Sequence, residues 1–109
     1  MEEFTVNEML KMQRELQEEY KGRWSPICPE NGGDQLLWMI GEIGEVIDVI
    51  KKNDAQQVVE DVPVRTHFVE EMADVLMHYI DVCMCYGITA EELKRAFTQK
   101  FERNMTRWK

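Results

Sequence analysis

The chain has 109 residues, a formal net charge of −8 and 44% apolar residues. That length makes one domain, residues 1–109, modest for burying a core alone. The charge argues against nucleic-acid polymers, whose non-specific binding runs on Lys and Arg neutralising phosphates, but it leaves nucleotides open because a divalent ion bridges acidic side chains to a triphosphate.

Nothing repeats and nothing is low-complexity. Thr5 and Glu8 form a capping-box pattern that opens a first helix to about Tyr20, with Met9, Leu10, Met12, Leu16 and Tyr20 as its apolar contacts. Gly22 to Gly33 reads as a loop, because Pro26, Pro29 and Asn31-Gly32-Gly33 interrupt helix. Asp34 is the expected N-cap of a second helix to about Lys52, and Asn53 to Arg65, with Pro63, reads as a connection. Thr66 caps a third helix, His67 to Tyr86, ended by Gly87 in left-handed conformation. Thr89 and Glu92 form another capping box for a fourth helix to about Trp108, folded back on the third as an antiparallel hairpin. The expected fold is all-α, a four-helix unit.

The three cysteines, Cys28, Cys83 and Cys85, are an odd count with two inside an apolar helical run, which suits a reduced protein using thiols as small core residues. Zinc would want more Cys or His at ligand spacing. Met1-Glu2-Glu3 has the wrong charge for a signal peptide, and no apolar run reaches bilayer length. The expected compartment is cytoplasmic, with no membrane contact.

At 100° per residue, Leu36, Met39, Ile40, Ile43, Ile47 and Ile50 form the core stripe of the second helix. Gly41, Gly44, Asp48, Lys51 and Lys52 lie on or near the opposite side. Glu42 and Glu45 fall in a third sector with Trp38 and Val49, company unlike that of a solvated face. The third helix is apolar nearly all round, the pattern of a buried helix. Its remaining stripe, His67, Glu71, Asp74, His78, Asp81 and Cys85, is acidic and has no Lys or Arg. Four clustered carboxylates in partly apolar surroundings call for protons or a cation, and all-oxygen ligands favour Mg²⁺ or Mn²⁺ over zinc. On the fourth helix, Lys100, Asn104 and Arg107 border the core stripe of Leu93, Phe97, Phe101 and Trp108, placed to grip phosphate oxygens. The plainer reading of each set is a wet acidic surface and a strip of helix-ending cations.

The Glu42/Glu45 pair, a spacer of about two dozen residues and the Glu71/Asp74 pair resemble the signature of MazG-like and all-α dUTPase-like pyrophosphohydrolases. Gly41-Glu42-Ile43-Gly44-Glu45 leading to Lys51-Lys52, the Gly87-Ile88-Thr89 turn, and Lys100, Asn104 and Arg107 are similar to that family's pattern, over roughly residues 34–108. The resemblance implies Mg²⁺-dependent hydrolysis of a (deoxy)nucleoside triphosphate to monophosphate and pyrophosphate, as nucleotide-pool housekeeping. It implies Glu42, Glu45, Glu71 and Asp74 as metal ligands, with Glu45 or the metal itself activating water, and Lys100, Asn104 and Arg107 on the phosphates. Trp38 is the candidate for stacking on the base and Trp24 a weaker one, with plain packing the alternative for both. His78 and Asp81 are candidates for orienting the ligands. The resemblance also implies a homo-oligomer, with a tetramer favoured over a dimer because the chain is short. Many relatives carry a further Glu directly before the first motif carboxylate. Here that place is Gly41, which keeps open a catalytically degenerate nucleotide-binding or interaction module. A di-iron centre is disfavoured, because neither Glu42 nor Glu71 has a His three residues on.

Overall fold

The computed structural model describes residues 3–108; Met1 and Glu2, read above for the charge of the N-terminus, lie outside the described residues. The chain forms helices α1 (Val6–Glu19), α2 (Gly32–Lys52), α3 (Ala55–Glu60), α4 (Val62–Cys85) and α5 (Ala90–Arg107), with a 3₁₀ turn, Pro29–Asn31, leading into α2. No strand occurs among the described residues, so the all-α expectation holds.

The helix ends follow local chemistry. Thr5 Oγ1 accepts from the Glu8 amide at 3.1 Å to start α1. Thr89 and Glu92 complete a reciprocal capping box on α5. Gly87 adopts φ +67°, where a Cβ would be strained, and the Ile88 amide reaches back to the Cys83 carbonyl at 2.9 Å to close α4.

Two boundaries differ from the sequence expectation. α2 begins at Gly32, two residues before Asp34, which sits instead in the first turn and suits the positive end of the helix dipole. The segment read as a connection over 53–65 holds α3, opened by a capping box between Asp54 and Gln57, and the start of α4. Pro63 lies in the first turn of α4, where its missing N–H costs nothing, so Thr66 is inside the helix rather than its cap.

α2 and α4 are the packed centre of the molecule. They run antiparallel: Gly32 at the start of α2 lies so close to Tyr86 at the end of α4 that a Cβ on it would collide with the ring, while Glu42 faces His78 midway. Their sheltered line reads Gln35, Met39, Glu42, Val46 and Val49 on α2, continued by its cap Asn53, and Val64, Phe68, Glu71, Val75, His78, Val82 and Cys85 on α4, all buried or half-buried. Alternating spacings of four and three are the knobs-into-holes pattern of helices packed side by side. α1 crosses α4, joined by a buried hydrogen bond from Gln13 Nε2 to Asp81 Oδ1 at 3.0 Å. Beside it Ile80 is 1% exposed, and burying such a side chain contributes about 1.5–3 kcal/mol. Cys83 and Cys85 are buried free thiols, as the sequence led us to expect.

Two expectations about packing are corrected. The stripe of Leu36, Ile40, Ile43, Ile47 and Ile50 is 37–56% exposed. The buried seam is that stripe displaced by one residue, about 100° around the helix. Nor do α4 and α5 form a packed hairpin: after the Gly87 turn α5 leads away from α4, and every residue from Lys94 to Trp108 is exposed. α4 is likewise not buried all round, because Val69, Met72, Leu76 and Tyr79 face outward from the α2–α4 pair.

Candidate functional site

The seam carries polar residues at its centre. Glu42 from α2 and Glu71 from α4 occupy seam positions, and Asp74 sits three residues, nearly one turn, beyond Glu71. One carboxylate oxygen from each of these three lies within 4.8 Å of the others. Glu71 and Glu42 are partly sheltered, whereas Asp74 opens to solvent. The neighbouring cationic candidates are two imidazoles. His67 Nε2 stands 3.8 Å from Glu71 Oε1, and His78 Nε2 stands 3.7 Å from Glu42 Oε1. His78 Nδ1 is buried without a hydrogen-bond partner. No Lys or Arg pairs with these carboxylates among the described residues. Three converging hard oxygen donors without a lysine or arginine counter-charge could hold a cation, and oxygen ligands suit one of the Mg²⁺ or Mn²⁺ type.

Glu45, the fourth carboxylate of the sequence reading, is exposed and outside this group. Three residues on from Glu42 it has turned off the seam, while Glu42 stays on it. The structure therefore brings together one carboxylate of the first pair and both of the second.

Beside the cluster lies a cavity of about 430 Å³ between α1, the Trp24 loop, α2 and α4. Asp74 and His78 form one end of it, Trp24, Trp38 and Met77 contribute apolar wall, and Gln13, Gln35 and Asp81 supply polar groups. Trp38, on α2, is one of the residues lining this cavity. Trp24 stacks on Tyr20, with ring centroids 4.5 Å apart, and borders the same space. Burial pushes the Asp81 carboxyl above the usual range, partly offset by the hydrogen bond from Gln13 and by His78. Gln13 and Gln35 were not singled out from the sequence. The signal available for Gln35 was its place seven residues before Glu42, on the same helical line. A larger cavity of about 570 Å³, between α1, the Trp24 loop and the Ile88 turn, touches none of the carboxylates.

Lys100, Asn104 and Arg107 do form a ridge, sharing a surface groove with Arg103 on α5. Arg107 lies over the Trp108 ring, its guanidinium carbon 5.0 Å from the centroid. Because α5 does not pack on α2 or α4, this ridge is not brought to the carboxylates of its own chain.

Residues 33–107, more than half of the chain, match the family described as MazG nucleotide pyrophosphohydrolase domain. No curated protein and no solved structure matches the chain significantly.

Proposed function

This chain belongs to the MazG nucleotide pyrophosphohydrolase family, and from that premise we propose that it hydrolyses a (deoxy)nucleoside triphosphate to the monophosphate and pyrophosphate. The observation that carries the reading is the convergence of Glu42, Glu71 and Asp74 from two antiparallel helices, with Asp74 also lining a cavity of about 430 Å³.

Glu42, Glu71 and Asp74 would hold Mg²⁺, with Mn²⁺ the substitute. Such a cation, when bound, offsets triphosphate charge and lowers the pKa of water bound to it. Water attacks the α-phosphorus; a new P–O bond forms there as the bond to the β-phosphate bridge breaks, and pyrophosphate leaves. Glu45, exposed and one turn along α2 from Glu42, takes the proton of the attacking water in place of the glutamate that Gly41 lacks. Lys100 and Arg107 offset phosphate charge and Asn104 hydrogen-bonds the phosphates, the electrostatic work on which phosphoryl transfer depends. His78 steadies Glu42, and Trp38 walls the base.

Since α5 stands clear of its own carboxylates, these cations reach a site only between copies. Two apolar surfaces support such an assembly: the Leu36–Ile50 stripe of α2 and the α5 stripe, where Phe97 is 78% exposed. Contiguous exposed apolar surface of this kind marks interaction sites. The proposed state is a homo-oligomer, tetramer over dimer, in which α5 of one copy serves the site of another. No helix among the described residues is long and apolar enough to cross a membrane, and the buried free thiols support a cytoplasmic setting.

The test is pyrophosphate release from a panel of canonical and modified (deoxy)nucleoside triphosphates with Mg²⁺, Mn²⁺ or EDTA. Metal-dependent release supports the reading. Metal binding without release from any substrate would replace it with a second one, a nucleotide-binding protein that does not hydrolyse, which Gly41 favours.

A further inference from the structure

The cations assigned above to the phosphates stand on α5, away from the carboxylates of their own chain. The cavity that Asp74 lines has a cation of its own. Among the described residues, Arg23 is the only Lys or Arg that borders it, in company with Asp74, His78 and Asp81. Its nearest cationic neighbours in sequence, Lys21 and Arg14, line the larger cavity instead, and Lys100, Arg103 and Arg107 line the groove on α5.

The turn carrying Arg23 is fixed by its own backbone. After Glu19 ends α1, the Arg23 and Trp24 amides both donate to the Tyr20 carbonyl, at 2.9 and 3.0 Å. Gly22 takes φ +89°, which a residue with a Cβ adopts only under strain. The Trp24 ring then stacks on Tyr20. Arg23, Trp24 and Ser25 border the cavity one after another.

Arg23 is also without an ion-pair partner. Two carboxylates share its cavity, yet no salt bridge joins it to Asp74, to Asp81 or to any other acid among the described residues. It is exposed, so its N–H donors are open to an incoming group. A cation just past the end of α1 suits the negative end of that helix dipole, but a lysine would do the same. The planar fork of arginine matches the oxygens of a phosphate in addition. The fixed charges around the cavity are otherwise acidic. In a chain of net charge −8, an anion entering here without a counter-charge is repelled.

Resting on the nucleotide chemistry proposed for the adjoining carboxylates, we propose that Arg23 binds the phosphate attached to the nucleoside, as a cation supplied by the same chain that carries Glu42, Glu71 and Asp74. It is a substrate-binding residue that acts without the metal and without a second copy, which sets it apart from Lys100 and Arg107.

The test measures what the phosphate adds to binding. The deoxynucleosides of adenine, cytosine, guanine, thymine and uracil, and the 5′-monophosphate of each, are titrated calorimetrically into the protein in EDTA, so that neither metal nor turnover contributes. For at least one base the monophosphate should bind about tenfold tighter than its nucleoside, the size of a charge-assisted hydrogen bond. Arg23→Gln should bring that ratio to about one while leaving nucleoside affinity and melting temperature nearly unchanged, since no ion pair is lost. Arg23→Lys should restore part of the ratio. In metal-supported turnover, Arg23→Gln should raise KM about tenfold with kcat nearly unchanged, the mark of a contact made equally before and during reaction. A role confined to the helix dipole would instead lower the melting temperature of Arg23→Gln and leave the ratio alone, which overturns the inference. So does a wild-type ratio of about one, or no binding of any compound, even where pyrophosphate is released. Loss of the ratio in Arg23→Gln, in a protein that releases no pyrophosphate with Mg²⁺ or Mn²⁺, upholds Arg23 and removes the hydrolysis.

Discussion

The α2–α4 seam and helix α5 are both amphipathic, yet only the seam has found its partner inside the chain. Along the seam, five positions of α2 and its cap Asn53 line up with seven of α4, and the fold places Glu42, Glu71 and His78 there among valines. Packing positions were given to acid and imidazole, polar groups whose burial costs stability unless they are paired. α5 has a complete capping box and an apolar stripe of equal regularity, and all of that stripe beyond Leu93 faces solvent. A helix of this length is marginal by itself in water, and most helical stability comes from packing. The contrast teaches that two kinds of amphipathic helix occur in one chain: one whose stripe closes the protomer, and one whose stripe the protomer leaves exposed.

The largest effect that would test this division is on the seam. Glu42→Gln or Asp74→Asn should lower Mg²⁺-dependent pyrophosphate release about 1,000-fold or more, with unchanged far-UV circular dichroism. Full turnover in either variant would remove the carboxylates from the mechanism. On α5, Phe101→Glu should dissociate the oligomer in sedimentation and cut turnover roughly 100-fold, as loss of transition-state charge stabilisation does. A wild-type protein that sediments as a monomer at micromolar concentration and turns over normally would break the comparison outright.

Stability sharpens it further. Ile80→Ala in the packed half should cost about 2–5 kcal/mol in urea unfolding. Phe97→Ala should cost nearly nothing in dilute, dissociated protein and act only where copies associate. The pH dependence has a definite sign at Asp81. Burial raises its folded-state pKa above the unfolded value, so the folded state holds the proton more tightly. This group's contribution is therefore intact below the ordinary Asp range and is lost as pH rises through the raised folded value. Asp81→Asn, which still accepts from Gln13, should flatten that decline in a series of melting temperatures against pH.

The smallest effect concerns Gly41. A Cβ there meets nothing within 4 Å. Gly41→Glu should stabilise α2 by about 0.5–1 kcal/mol through helix propensity and raise turnover if the added carboxylate assists the water.

Much of this was legible in the chain because the signals were local. Capping by Thr5 and Thr89, the left-handed stop at Gly87 and the pairing of acids three residues apart depend on neighbours within one turn. α3 was missed although Asp54 and Gln57 spell a capping box, because Pro63 was read as a breaker when it also fits the first turn of a helix. The sequence alone therefore determined the all-α class, the principal helices and the carboxylates Glu42, Glu71 and Asp74. Only the tertiary structure decided which stripe of α2 is buried, since adjacent stripes one residue apart have the same period and the seam joins the more polar one. It alone decided that Glu45 stands outside the cluster, that Gln13 and Gln35 meet Asp81 at a cavity, and that α5 carries its cations away from its own chain's site. Those outcomes depend on helix rotation and on contacts distant in sequence, and no periodicity along a single helix encodes them.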